Sequence, residues 1–457
     1  MKLNVKMKYK IYKEKHNFYI TFNPPSGGLG AFLLLVLVCL TSVVLAQKLS
    51  IDDAISIALK NNFDIRVAKN DAAISKANNT PGNAGMLPTV GISGSGSYGV
   101  SQSTQKLGSG TDNTYPALTS SALSAGLQLN WTLFDGGKMF VTKSKLNEIQ
   151  SLGEIQFKEK VLKILSNVIS TYYDVVRQKQ QLNSINEILE FNRNRVSIAQ
   201  AGFKAGTLLK QDFLQAKIDL NVSNENAINQ QFAIEEALKN LNLVLGRKGE
   251  ESIDINDSIS LNYTPDKAAL QQKLNISNTS ILSFQKQIEI AQLTLKENRT
   301  LYLPNLSVRG GYYLSQSNNS AGTILQNNSL GPQVGGSLVI PIYNAGETKR
   351  KEAIAKIQKE TAEIDLQNIK LQVNTALLNT LTEFENQQKL LKIEAENNEL
   401  AKENLQISME RLKHGQTTST EVHLAQENYV QSNTRLINFS YNLKMAETRL
   451  KQLVSEL

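Results

Sequence analysis

Cysteine occurs once in the 457 residues and histidine three times. Zinc, iron–sulfur and thiol-redox centres need several such ligands, so metal or redox chemistry of those kinds is effectively excluded. Long apolar runs are missing as well. Outside residues 31–46 nothing approaches the ~20 apolar residues of a transmembrane helix, which rules out a helical transporter. The familiar catalytic loops are also absent: no Gly-x-x-x-x-Gly-Lys-[Ser/Thr], no His-Glu-x-x-His and no Gly-x-Ser-x-Gly occurs. No enzyme and no cofactor is expected. Disorder is excluded too, because 41% of the residues are hydrophobic and they recur periodically.

The net charge of +8 is concentrated in one place. Residues 1–46 carry six lysines against Glu14, a net +5, which leaves +3 for residues 47–457. A nucleic-acid binder keeps a basic stripe in its body, and this body has none. An apolar run from Ala31 follows the basic stretch and ends in Val44-Leu45-Ala46. That order describes a secretory signal peptide over 1–46, with a mature chain beginning at Gln47; the alternative is an uncleaved membrane anchor, for which the apolar run is short. Cys39 follows Val38, where a lipoprotein signal carries Gly, Ala or Ser, so lipidation is not expected.

The remainder repeats itself. Leu87-Pro88 recurs as Leu303-Pro304, 216 residues on. Phe134-Asp135-Gly136-Gly137 recurs as Tyr343-Asn344-Ala345-Gly346, and Lys204-Ala205-Gly206 as Lys413-His414-Gly415, both at an offset of 209. The interval of 69 residues between Gly137 and Gly206 matches that between Gly346 and Gly415, so a rigid element of fixed length lies between each pair. Two halves follow, 47–250 and 251–457.

Residues 82–137 and 304–346 hold 18 of the 27 glycines but only four charges, Lys106, Asp112, Asp135 and Arg309. Each reads as a β-hairpin, 88–135 and 304–343. Val90, Ile92, Tyr98 and Val100 share one parity; Leu127, Leu129, Trp131 and Leu133 share another, against Gln128, Asn130 and Thr132. Leu306, Val308, Tyr312 and Leu314 alternate with Ser307 and Arg309, and Val334, Leu338, Ile340 and Ile342 with Ser337 and Pro341. Period-two alternation gives two-faced strands. A sandwich with one wet face shares this pattern. Strand lengths of ~40 Å and the near-absence of charge also fit a membrane barrel with an apolar exterior and a polar lumen.

The other segments read as helix. Lys138 to Gly202 contains no proline and only Gly153 inside it, and 65 helical residues span ~98 Å. Leu162, Leu165, Ile169, Tyr172 and Val176 form a coiled-coil seam, continued after a stutter by Leu182, Ile185, Leu189, Val196 and Ala199. The mate runs over 347–413 with Leu366, Ile369, Val373 and Leu377, and helices return over 208–245 and 420–453. Asp135 and Asn344 are N-cap types at equivalent strand-to-helix turns, with Gly136, Gly137 and Gly346 permitting the turn. Gly206 and Gly415 mark helical hairpin tips. His414 and His423, near one tip, are expected to be solvated.

This doubled order (Leu-Pro, strand, strand, [Phe/Tyr]-[Asp/Asn]-x-Gly, very long helix, Gly tip, returning helix) resembles the outer-membrane efflux protein family, the TolC-like exit ducts. The likeness covers the whole mature chain and is carried best by Trp131-Thr132-Leu133-Phe134-Asp135-Gly136-Gly137 at matched offsets. Thr132 departs from a proline common in the family, which Pro341 keeps. The resemblance implies a mixed α/β membrane protein: three chains sharing a 12-stranded outer-membrane β-barrel, continuous with a long helical tunnel through the periplasm. It implies a homotrimer in the lipid bilayer, served by a periplasmic adaptor and an inner-membrane efflux pump or ABC exporter. The residues alone require at least two chains, because four strands cannot close and open edges are not tolerated in lipid. Gln128, Asn130, Ser307 and Arg309 are then expected in the lumen. The tips Ala205, Gly206, Thr207, His414, Gly415 and Gln416 would meet the adaptor. Glu421, Leu424 and Asp212 would line the periplasmic entrance, one to two turns into the returning helices. Thr418-x-x-Glu421 is also a capping box, a structural role for the same carboxylate. A periplasmic coiled-coil adaptor or scaffold with a soluble β-domain is the competing reading.

Overall fold

The computed structural model describes residues 48–106, 108–256 and 258–457. The signal peptide expected over 1–46, with Cys39 inside it, lies outside the described residues.

Each half begins with two short helices. The first pair is α1 (Ile51–Asn61) and α2 (Phe63–Asn78). Ser50 accepts the Asp53 N–H at 3.1 Å and Asn62 accepts that of Ile65 at 3.1 Å, the side-chain caps that helix starts require. Strands β1 (Thr89–Lys106) and β2 (Asp112–Asp135) follow, then α3 (Lys138–Ala205) and α4 (Lys210–Leu245). The second half repeats the order: α5 (Lys267–Ser277), α6 (Thr279–Arg299), β3 (Asn305–Asn319), β4 (Gln326–Val339), α7 (Glu347–Lys413) and α8 (Ser419–Leu453). The long helices have 68 and 67 residues, or ~100 Å each. The first was expected to stop at Gly202 and runs on to Ala205, because the left-handed residue that ends it is Gly206, at φ 73°.

Packing follows the seams. Leu162, Leu165, Ile169, Tyr172 and Val176 are all buried. Farther along, Leu189 and Ala199 are buried as expected, but Leu182, Ile185 and Val196 are only half-buried, and the buried line takes in Ile188, Asn192, Arg195 and Ala199. Apolar spacing could not reveal this, because two of those four residues are polar. Two equivalent cores result. One joins Ala54, Val168, Tyr172 and Leu241 of α1, α3 and α4; the other joins Leu274, Ile281, Leu377 and Leu450 of α5 to α8. Gly153 lets α2 lie against α3, since a Cβ there would stand 2.8 Å from Ser75 Oγ. No helix among the described residues is long and apolar enough to cross a membrane.

The strands form one antiparallel sheet in the order β1-β2-β3-β4. Its register sorts the two parities. Ile92, Leu127, Tyr312 and Pro332 lie side by side in one row, and Val90, Leu129, Gly310 and Val334 in the next. The other face carries Thr89, Asn130, Arg309 and Gly335, and farther on Ser95, Ser124, Ser315 and Ser329. Three details differ from simple alternation. The β1–β2 register shifts by one between Ser101, opposite Leu118, and Ser103, opposite Tyr115. A bulge between Thr132 and Phe134 places Phe134, rather than Leu133, opposite Leu306, because two residues of β2 there oppose one of β3. Strand β4 ends at Val339 rather than continuing to Ile342, and Pro341, which has no N–H to donate, lies just beyond.

Candidate functional site

The sheet lies at one end of the long helices and the hairpin tips at the other. On the sheet, the apolar row is uncovered: Ile92 is 84% exposed and Val334 82%. Along β3 this band runs from Leu306 to Leu314, ~26 Å of strand, and beyond it the same face turns polar through Gln316 and Asn318. An apolar band of about 25 Å flanked by aromatics is the exterior of a membrane barrel. Aromatics do flank its base: Trp131, Phe134 and Tyr343 are all exposed there. Gln128, Asn130, Ser307 and Arg309 share the opposite, polar face. Gln128 donates to Ser93 and Ser95 bonds Ser124, so hydroxyls and amides on that face satisfy one another across strands.

The two strand-to-helix turns are not chemically equivalent. Asp135 accepts the Met139 N–H with both carboxylate oxygens, at 3.1 and 3.0 Å, although the N-cap position itself is Gly137. Gly136 is left-handed, and a Cβ on it would stand 2.6 Å from Leu303 Cβ, so only glycine fits. In the second turn Asn344 donates from Nδ2 to Thr348 Oγ1 at 2.5 Å, and Ala345 takes the left-handed position at φ 54°, followed by Gly346.

At the far end, both tips close with the same backbone motif. Thr207 N–H donates to Gly202 O at 2.9 Å and Gly206 N–H to Phe203 O at 3.2 Å; Gln416 N–H donates to Arg411 O at 2.9 Å and Gly415 N–H to Leu412 O at 3.0 Å. Gly206 and Gly415 are left-handed, which satisfies the last carbonyls of α3 and α7. Ala205, Gly206, Thr207, His414, Gly415 and Gln416 are all exposed. Asp212 and Glu421 occupy the same third position of the returning helices, inside the first turn and so nearer the tips than expected. Each realises one half of a capping box. Asp212 accepts the Leu209 N–H at 3.1 Å, whereas Thr418 Oγ1 accepts the Glu421 N–H at 3.2 Å. The Glu421 carboxylate takes the Thr417 hydroxyl instead and stays exposed, as does Leu424.

Just above the tips lies a polar knot that apolar periodicity does not signal. Arg195 of α3 is fully buried and donates to Asp219 of α4 at 2.6 Å and to Ser419 Oγ of α8 at 2.8 Å. Gln215 donates to the second Asp219 oxygen at 2.9 Å. His423 is not simply solvated: its Nδ1 lies 3.3 Å from Asp219 Oδ2 and its Nε2 3.4 Å from Glu427. Farther up, burial works to raise the Glu394 carboxyl, but hydrogen bonds from Arg435 at 2.9 Å and Ser432 at 2.6 Å outweigh it and hold its pKa below the ordinary value. The Lys286 ammonium, 2.7 Å away, likewise lowers Glu148. Burial, then a hydrogen bond to Glu187, raises the Tyr429 phenol. No metal-ligand cluster occurs among the described residues.

A sheet with one apolar face, set on hairpins some 100 Å long and built twice over, decides among known proteins. The sequence model of the outer membrane efflux proteins matches residues 54–247 and 270–456. The chain belongs to the outer membrane efflux protein family. It is similar to the cation efflux system protein CusC of Escherichia coli, 24% identical over 412 residues, 87% of this chain and 84% of that protein. It is also similar to the alkaline protease secretion protein AprF of Pseudomonas aeruginosa, 22% identical over 351 residues, 74% of this chain and 69% of the relative. Among solved structures, the outer membrane protein VceC of Vibrio cholerae superposes with a TM-score of 0.72 at 14% identity, over 89% of this chain and 96% of that one. This member is an outer-membrane exit duct that extends into the periplasm.

Proposed function

We propose that three copies of the chain close into one conduit, which passively carries cargo handed over by an inner-membrane pump and a periplasmic adaptor. The mature chain contributes two tandem repeats, 47–250 and 251–457, to its wall. One observation carries the closure: α7 is apolar on two opposite sides. At 100° per residue, Ile357, Ile364, Leu371, Ile393, Leu400 and Ile407 fall within about 60° of one another, and all six are more than half exposed. The buried residues Val373, Leu377, Phe384 and Met409 lie on the other side. A helix at the surface of a finished molecule has one apolar stripe, not two.

The opposite edge of the chain matches. Phe63, Val67 and Ile74 form an exposed stripe on α2, and Leu214, Ile218 and Phe232 another on α4. The sheet has the same two edges, since β4 leads into α7 and α2 leads into β1. A single rotation would therefore pair β4 with β1 and α7 with α2 and α4 of the next copy, removing every open edge. Three chains of four strands make twelve. The exposed tips, with Leu209 70% exposed, suit docking of an adaptor. The relatives named for cation efflux and for protease secretion allow small ions or polypeptides as cargo. A soluble scaffold would leave the whole apolar row of the sheet in water, which disfavours that reading.

Rotation about an axis parallel to the helices keeps each residue's height. Glu352 lies beside Arg299, and Glu297 beside Thr142; Ser75 and Asp64 lie beside Gly153 and Lys160. Stepping down both helices brings Leu371 level with Val67. Native mass spectrometry in detergent should give a trimer. A chain carrying Leu371→Cys and Val67→Cys should, on oxidation, yield covalent dimers and closed trimers that neither single variant forms. A folded monomer in lipid overturns the reading.

A further inference from the structure

The four strands carry only four charged side chains among the described residues, and three of them are accounted for. Lys106 and Asp112 face each other across the end of the first hairpin. Asp135 is turned to the Met139 N–H at the base of the sheet. The fourth, Arg309, sits inside the sheet on the polar face. Its direct neighbours there are Asn130 of β2 and Gly335 of β4, and Ser307 and Gly311 flank it along β3. None is acidic, Arg309 is exposed, and among the described residues its guanidinium has no hydrogen-bond or ion-pair partner. An arginine facing lipid at mid-depth would cost roughly 2–4 kcal/mol, so this parity is consistent only with the lumen.

We infer that Arg309 forms a cationic ring in the barrel lumen that favours anions, the carboxylate and phosphate groups of cargo included. This rests on the trimeric duct proposed above. A twelve-stranded barrel at the usual tilt has a backbone radius of about 12 Å. An arginine reaching ~6–7 Å inward leaves its charge roughly 5–6 Å from the axis, inside the ~8 Å Debye length of physiological salt. Three such charges therefore overlap across the whole bore. The neighbouring glycines leave the guanidinium unobstructed, and its planar donor fork suits bidentate contact with carboxylate or phosphate. Rings of arginine or lysine are how pores favour anions. Glu421 at the tips, expected at the periplasmic entrance, has the opposite sign and lies ~100 Å away, far beyond screening distance. The two ends then select independently.

Single-channel recording across a potassium chloride gradient tests this. Arg309→Gln should raise the cation-to-anion permeability ratio at least twofold near 50 mM salt, with little change near 1 M. Arg309→Lys should keep the parent ratio, and inorganic phosphate should reduce current in the parent and the lysine variant but not in the glutamine variant. Glu421→Gln should move the ratio the other way. Native mass spectrometry of each variant checks assembly. Channels of normal conductance whose selectivity ignores Arg309→Gln overturn the ring alone. A parent chain that forms no channel overturns the duct and the ring together.

Discussion

Arg195 and Asp219 form an ion pair at 2.6 Å with both side chains removed from water, one on the descending helix α3 and one on the returning helix α4. The Arg195 guanidinium also reaches Ser419, at the first turn of α8, so one side chain ties the two helical hairpins together above their tips. Breaking a buried pair from one side leaves an uncompensated charge and costs about 3–5 kcal/mol, whereas replacing both partners by apolar groups of similar volume is often neutral. Arg195→Ala should therefore lower the unfolding free energy of the solubilised protein by roughly that amount, while Arg195→Met combined with Asp219→Leu should recover most of it. Equal destabilisation by the single and double variants in denaturant titration would show that Asp219 does not depend on Arg195.

Ala345 stands at φ 54° where the first repeat has Gly136. A left-handed alanine is strained by about 1–2 kcal/mol. Ala345→Gly should remove that strain at a small entropic cost and raise stability by ~0.5–1 kcal/mol. The melting temperature should rise, and a fall would mean that the alanine methyl makes contacts worth more than the strain. Gly136→Ala should act the other way and more strongly, since its Cβ would also meet Leu303.

Two cross-helix carboxylates set an acid limit. Glu148 bonds Lys286, tying α3 to α6, and Glu394 bonds Arg435 and Ser432, tying α7 to α8. Both have folded pKa values below the ordinary 4.5. A depressed carboxylate binds fewer protons folded than unfolded, so its contribution is complete above the ordinary value and disappears as pH falls through the lowered one. Melting temperature should be flat from neutral pH to about 5 and drop below it. Glu148→Gln and Glu394→Gln should each flatten that drop; an unchanged acid limb in both variants would rule these groups out as its cause.

The long helices, the hairpins and the doubled order were legible in the sequence for definite reasons. Periodicities of two and 3.6 are local, and Gly206 and Gly415 announce their turns because few other residues accept a left-handed backbone. The faces of the sheet followed from parity alone, except where the register shifts between Ser101 and Ser103 and where the bulge after Thr132 moved Phe134 by one place. Other features depended on which helices meet. Arg195, Asp219 and His423 come from three separate helices, and polar residues on a coiled-coil seam carry no apolar signal. Glu421 and Asp212 could be matched by their spacing from the tip glycines, and the residue types limit the capping, since Thr418 offers a hydroxyl acceptor and Leu209 none; that the Glu421 carboxylate takes the Thr417 hydroxyl was set by the folded tip. The second apolar stripe of α7 is written in the sequence at heptad spacing. Only packing shows it to be left over, because a stripe counts as unpartnered once the chain's own helices have covered the other side.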